Sequence, residues 1–272
     1  MLPLKKKRCH IVCFASLKGG AGKTLNCYNI GGILAEEHRV LFIDSDPQCN
    51  LSYNCGIRIA GTESYSIRDI FEMDPRPEPE KVIVRAPIKE LPNLDIIPSS
   101  IYLFESEEKM VLRADRERIM ERYFEDFAAA FNVYDYVLID TNPSMSTTNV
   151  NCFNLADDII LSSDVSINSI TGAELFCNLW DKKRRQLRKE DNIGALVICN
   201  YNGQSNFAKD LLEFTKIKDF SRDIVCNNII SSTVKLKETE SSHKPVNVLY
   251  PNHKSCAQYR ALIQELKESE VL

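Results

Sequence analysis

The sequence has no Cys-x-x-Cys pair despite its ten cysteines, and no Cys/His group at zinc-finger spacing. That excludes the common structural zinc modules. No apolar run approaches the ~18 residues that a membrane-spanning helix needs. Histidine is scarce, at four residues, and His10, His38, His243 and His253 form no Ser/His/Asp or Cys/His set for nucleophilic catalysis. Ten glycines and eleven prolines are too few for a collagen-like or low-complexity chain. Positive charge is not in excess: 34 Lys+Arg against 38 Asp+Glu give a net charge of −4. Any contact with nucleic acid must therefore come from a local patch. Lys5-Lys6-Lys7-Arg8 resembles the basic start of a secretory signal, but the apolar stretch after it ends by Lys18. A soluble, intracellular protein is expected. In such a reducing compartment the cysteines read as small buried hydrophobes.

What is present is ordinary globular composition over 272 residues, with 44% apolar and 26% charged residues. That size suits one large α/β domain, read here as a single domain over residues 1–272. Short apolar runs recur at His10–Ala15, Val40–Ile43, Leu94–Ile97, Tyr136–Ile139, Asp158–Leu161 and Ala195–Cys199. Several lack polar alternation, as strands buried on both faces do. Amphipathic stretches lie between them, the clearest being Ser106–Phe131 with Leu112, Ile119, Tyr123, Phe127 and Phe131 on one face. The closing segment Cys256–Lys267 also reads as a helix, and Trp180 as core. Strands alternating with helices predict a doubly wound α/β domain, a mostly parallel sheet with helices on both faces.

The most informative stretch is Ser16-Leu17-Lys18-Gly19-Gly20-Ala21-Gly22-Lys23-Thr24, between a strand and a helical pattern. Glycines let backbone N–H groups turn inward as an anion cradle, and the helix that starts near Lys23 adds its positive end. Lys23 can reach β- and γ-phosphates, and Thr24 offers a hydroxyl to Mg²⁺. Leu17 stands where the usual phosphate-loop pattern has its first glycine, and Lys18 adds a second lysine.

Two further strand ends carry carboxylates. Val40–Ile43 runs into Asp44-Ser45-Asp46-Pro47-Gln48, and Tyr136–Ile139 runs into Asp140-Thr141-Asn142-Pro143-Ser144. Asp44 and Asp46 lie two apart and share a face in extended chain. One of the pair can hold Mg²⁺ through water while the other positions an attacking water. Asp140 has the place of a carboxylate near Mg²⁺.

Together these motifs resemble the ParA/MinD family of P-loop ATPases with a deviant Walker A loop, and most closely its ParA/Soj branch. Val234-Lys235-Leu236-Lys237-Glu238, Lys244-Pro245 and Tyr250 extend the likeness toward the end of the chain. The resemblance implies a partition ATPase for plasmid or chromosome segregation, using ATP and Mg²⁺. Two protomers would sandwich two nucleotides, with Lys18 reaching the partner's nucleotide and Lys23 holding phosphates in its own site. Asp46 would orient the hydrolytic water, and Thr24, Asp44 and Asp140 would serve Mg²⁺. Gly19, Gly20, Ala21, Gly22 and Asn200 join the nucleotide-binding set. The ATP dimer would bind nonspecific DNA, and a ParB-like centromere-binding protein would stimulate its slow hydrolysis and release. The implied location is cytoplasmic, on the nucleoid. The sequence departs from the family pattern at Leu25, Asn142, Gln204, Ser231 and Ser232.

Lys182–Lys189 is the longest dense basic run, six cations in eight residues. It reads either as a solvated helix end whose cations complement the helix dipole or as a phosphate-binding patch. Lys182, Arg185, Arg188 and Lys189 are its DNA candidates. Lys235, by resemblance, and its neighbour Lys237 are two more. The alternatives are a MinD-like positioning ATPase on a membrane or protein cargo, a reductase of the nitrogenase iron-protein type, and a non-hydrolysing regulator. The acidic residues Glu265, Glu268 and Glu270 disfavour anionic lipid, and no second cysteine has a cluster-binding context beside Cys152.

Overall fold

The computed structural model describes residues 9–58, 64–111, 113–202, 206–221 and 223–272. Lys5–Arg8, Leu112 and Gln204 lie outside the described residues. The first half runs β1 (His10–Ala15), α1 (Lys23–Leu34), β2 (Val40–Ser45), α2 (Asn50–Asn54), α3 (Ile67–Glu72), α4 (Pro79–Val82) and β3 (Leu94–Ile97). Then come α5 (Leu103–Met110), α6 (Ile119–Asp126), α7 (Ala128–Phe131), β4 (Tyr136–Thr141), α8 (Thr147–Leu155) and β5 (Asp158–Asp164). The chain closes with α9 (Ile167–Leu187), β6 (Ile193–Cys199), α10 (Asn206–Ile217), α11 (Val234–Ser241), α12 (Val246–Leu249) and α13 (Lys254–Glu268).

All six apolar runs are strands, and they form one parallel sheet in the order β3-β2-β4-β1-β5-β6. Successive residues point to opposite faces, and both faces are covered. Ile11, Cys13 and Ala15 of β1 join the core on one face with α8 and α9 residues such as Phe153, Phe176 and Trp180. Val12 and Phe14 join the other face with Tyr28 of α1 and with Tyr259, Leu262 and Leu266 of α13. Continuous burial explains why these strands read as unbroken apolar runs.

Close packing sets where α1 lies. A Cβ on Gly31 would fall 2.1 Å from the Phe42 ring, so only glycine lets α1 approach β2 this closely. Trp180 is fully buried and donates to Asn192 Oδ1 at 2.8 Å. The Asn192 amide in turn donates to Phe153 O and Ala156 O, tying α9 to the end of α8. None of the ten cysteines forms a disulfide, and eight are buried.

The stretch from Ser106 to Phe131 keeps its helical period but not its continuity. It is split among α5, α6 and α7. The break near Asp115 is held by ion pairs that i,i+4 spacing does not reveal, such as Arg122 to Asp115 at 2.6 Å. Among the described residues no helix is long and apolar enough to cross a membrane.

Candidate functional site

The carboxyl ends of β1, β2, β4, β5 and β6 meet at one edge of the sheet, where open parallel sheets carry their sites. Lys23 opens α1 and is buried. Just before it, Gly22 has φ 89°, the left-handed region that glycine tolerates, and lies against the buried Cys199 thiol. That thiol donates to Ala21 O at 2.8 Å, so β6 supports the loop from below.

Parallel pairing of β2 with β4 places Asp44 opposite Asp140. Both are completely buried. Thr24 Oγ1 donates to Asp140 Oδ2 at 2.6 Å, which joins the loop to β4. Asp44 spends its oxygens on the turn after β2. It accepts from Asp46 N at 3.1 Å and from Ser52 N and Oγ at 2.8 and 2.7 Å. Asp44 therefore shapes the Asp46 turn. Asp46 Oδ1 accepts from Gln48 N at 2.9 Å, and its side chain lines a cavity of about 650 Å³. Gly19, Gly20, Gly22, Lys23, Thr24, Pro143 and Asn200 line the same cavity.

The charges here are under tension. Burial, then the neighbouring Asp44, pushes the Asp140 carboxyl up to about 8 against the opposing pull of Thr24 and Lys23. Burial pushes Asp44 up to about 6, although Ser52 and the Asp46 N–H favour its charged form. Burial lowers the Lys23 ammonium, while Asp140 and Asp46 hold it up. Asp140 Oδ1 is buried with no hydrogen-bond partner. A cation beside Thr24 would satisfy that orphan and relieve the carboxylates. Among the described residues no group of three or more His, Cys, Asp or Glu could hold a metal. The set therefore fits Mg²⁺ arriving with phosphates better than a metal held by protein alone.

The segment after β4 is clamped. Asn149 Nδ2 donates to Asn142 O, Asn142 Oδ1 and Ser144 O, each at 2.9 Å. Glu107 of α5 accepts from Thr147 N at 2.9 Å and Thr148 N at 2.8 Å, closing the first turn of α8. Neither Asn149 nor Glu107 stands out in the sequence, because each acts across a distance that no local motif marks.

Lys18 sits at the loop entrance, and its Nζ bonds Asp164 and Ser166 of its own chain. The polar end of β5, Ser162-Ser163-Asp164, repeats the pattern of an apolar strand ending in aspartate, a sequence signal that the motifs above do not include. The cavity is completed by Tyr53, Leu236, Lys237 and Glu240 from α2 and α11. Lys237, first a DNA candidate, thus lines the phosphate-loop cavity. Asn200 follows β6 with φ 54° and lines the same space.

The remaining DNA candidates are not brought together. Helix α9 begins beside Asp164 and runs 21 residues, about 30 Å, to the opposite end of the sheet. There Lys189 lines a separate cavity with Cys9 and Asp157. Much of the basic run is paired: Lys183 with Glu117 at 3.1 Å, Arg184 with Asp181 at 2.5 Å and Arg185 with Asp181 at 3.0 Å. Lys182 and Arg188 are exposed and make no ion pair among the described residues. Lys235 pairs with Glu238 at 2.9 Å and lies over the Tyr250 ring.

A family model described as an AAA domain matches residues 9–193. The chain is similar to the sporulation initiation inhibitor protein Soj of Bacillus subtilis, 28% identical over 257 residues that cover 94% of this chain and 97% of Soj. It is similar to the chromosome partitioning protein ParA of Caulobacter vibrioides, 29% identical over 260 residues that cover 95% of this chain and 92% of that one. Among solved structures, apo McdA of Cyanothece superposes with a TM-score of 0.82 at 18% identity, covering 96% of this chain and 99% of McdA. The ATP complex of a McdA variant gives the same TM-score of 0.82. At those identities the structural likeness establishes the fold.

Proposed function

The chain belongs to the AAA-domain family, in its ParA/Soj-type branch, and from that premise we propose that it is an ATP-switched DNA partition ATPase. In this reading an ATP-bound sandwich dimer holds nonspecific DNA. A ParB-like centromere-binding partner stimulates slow hydrolysis and releases it. The product that matters is a change of state, on the nucleoid in the cytoplasm.

One observation carries the reading: Lys23, Thr24 and Asp46 face one cavity, with the orphaned Asp140 Oδ1 behind Thr24. The loop N–H groups and Lys23 bind the β- and γ-phosphates of ATP. Thr24 and Asp140 would hold Mg²⁺, which would supply positive charge to the phosphoryl oxygens. Asp46, fixed by the Gln48 N–H, orients the attacking water. Asp44 holds the Asp46 turn in place. Asn149 and Glu107 fix the segment that follows Asp140, so a shift at the γ-phosphate is passed on to α8 and α5. Lys18 completes the partner's site.

Membrane docking by α13 is disfavoured, because its apolar residues Tyr259, Leu262, Ile263 and Leu266 are buried against the sheet. For DNA, the α9 end and the α11 rim are separate cation groups on one protomer, and each would contribute its own phosphate contacts.

The test is Asp46→Ala. Losing the water-orienting carboxylate should cut hydrolysis by about 10²–10⁴-fold while ATP still binds. The ATP form should then persist on DNA. Rapid dissociation of Asp46→Ala from DNA in the continued presence of ATP would refute the reading.

A further inference from the structure

Lys18 is given a role outside its own protomer, yet here its ammonium is tied to two acceptors within it. Nζ lies 2.7 Å from Asp164 Oδ2 and 2.8 Å from Ser166 Oγ. The two acceptors are braced against each other, since Ser166 Oγ donates to Asp164 Oδ1 at 2.6 Å. They are also anchored to α9. Ser166 is its N-cap and accepts from Ser169 N, and Asp164 N donates to Ser169 Oγ at 3.2 Å. The lysine and aspartate side chains are 32% and 24% exposed. That is dry enough to strengthen the pair, and wet enough for it to open without stranding a buried charge.

We propose that Asp164, with Ser166, is a resting latch that holds Lys18 in its own protomer, so that pairing of two protomers must first break this contact. The inference rests on the proposed dimer role of Lys18 and adds to it a brake on dimerisation. Partial burial pushes the Asp164 carboxyl up, but the Lys18 and Ser166 bonds outweigh that and hold it below the usual range. The carboxylate is therefore charged at neutral pH and the latch is closed in the free chain. When Lys18 leaves, Asp164 keeps the Ser166 hydroxyl and gains water. Two such latches open per dimer, which makes assembly sensitive to anything that competes for Lys18. A polyphosphate presented by the partner protomer is such a competitor, since it offers the ammonium several anionic oxygens in place of one carboxylate.

The test compares the full-length wild type with Asp164→Asn, which keeps the shape and the Ser166 contact but removes the charge. With a non-hydrolysable ATP analogue and Mg²⁺, sedimentation over a protein series gives the concentration at half dimerisation. An exposed ion pair is worth up to about fivefold, so two latches predict a fall of up to about 25-fold in Asp164→Asn. An unchanged or higher half-dimerisation concentration overturns the latch. In the latter case Asp164 would instead be a guide that aims Lys18 at the partner. A second measurement does not depend on dimerisation. In the nucleotide-free monomer, acylation of Lys18 is read by peptide mass spectrometry. The latch predicts slow labelling in wild type and faster labelling in Asp164→Asn, while equal rates overturn it. A wild type that stays monomeric at every concentration refutes the sandwich reading, and the labelling contrast then still decides whether the latch exists. Ser166→Ala should shift both readouts in the same direction by less.

Discussion

Gly22→Ala probes the phosphate loop at its tightest point. The backbone there has φ 89°, and an L side chain in that region costs about 1–2 kcal/mol. The added Cβ would lie 2.3 Å from Cys199 Sγ. Cys199 cannot step aside, because it is fully buried at the end of β6 and bonded to Ala21 O. Overpacking of this kind costs about 1–3 kcal/mol. Gly22→Ala should therefore destabilise by about 2–5 kcal/mol, a large share of a total near 5–15 kcal/mol. At about 2–4 °C per kcal/mol, the Tm falls by roughly 4–20 °C. Cys199→Ala separates the two causes. Alone it costs about 1 kcal/mol for the sulfur it deletes. In the Gly22→Ala background it should restore about 1–3 kcal/mol by removing the clash, leaving only the backbone strain. The assay is a four-protein thermal melt read as a double-mutant cycle, with an expected coupling of about 2–4 kcal/mol. Gly22→Ala within about 0.5 kcal/mol of wild type, or Cys199→Ala equally costly in both backgrounds, would refute the packing described beneath the loop.

Two further perturbations test the charges. Asp140→Asn removes a carboxyl that burial and Asp44 already push up to about 8. Without nucleotide its Tm should stay close to wild type, whereas the rise with Mg²⁺ and ATP, worth about 2.7 kcal/mol at a hundredfold excess over Kd, should largely vanish. An undiminished rise would contradict the assignment of Asp140 to the cation. Glu265 of α13 accepts from the backbone and side-chain N–H groups of Asn227 and Asn228. Burial raises its carboxyl, but these four bonds outweigh burial and hold it below the usual range. A depressed folded value means that its stabilisation, about 1 kcal/mol after solvent screening, is present above the unfolded value near 4.3 and lost as pH falls through the folded one. The stability gap between wild type and Glu265→Gln should thus be constant from pH 5 to 8 and close below pH 4. A gap that widens in acid would reverse the sign.

Much of this was legible because both sheet faces are covered. Strands such as Val137–Ile139 carry no polar alternation, and their sequence ends abruptly in aspartate where pairing still continues, as at Asp140 and Thr141. The loop from Lys18 to Thr24 is local, so its chemistry could be read in order. What escaped is set by partners far along the chain. The basic run looked like one dense patch until Glu117 and Asp191 were placed beside it. Lys237 is exposed, as a DNA candidate must be, but nothing in its own segment marks that it also lines the cavity. Asp164 lies 146 residues from Lys18, and nothing in either segment announces the other. The helical period through Ser106–Phe131 survives in three helices, because periodicity reports which face is apolar and not whether the axis is continuous.

The central claim is that nucleotide state switches DNA binding. Binding to a nonspecific duplex should be measured without nucleotide, with ADP, with ATP and with a non-hydrolysable analogue, across a salt series, for wild type and Lys18→Gln. The account predicts binding only in the ATP states. Its log affinity should fall by about 0.9 for each phosphate contact per tenfold rise in salt, and Lys18→Gln should abolish it. Binding that ignores nucleotide, or none in any state, would contradict the account and return Lys182 and Arg188 to the role of a solvated helix end.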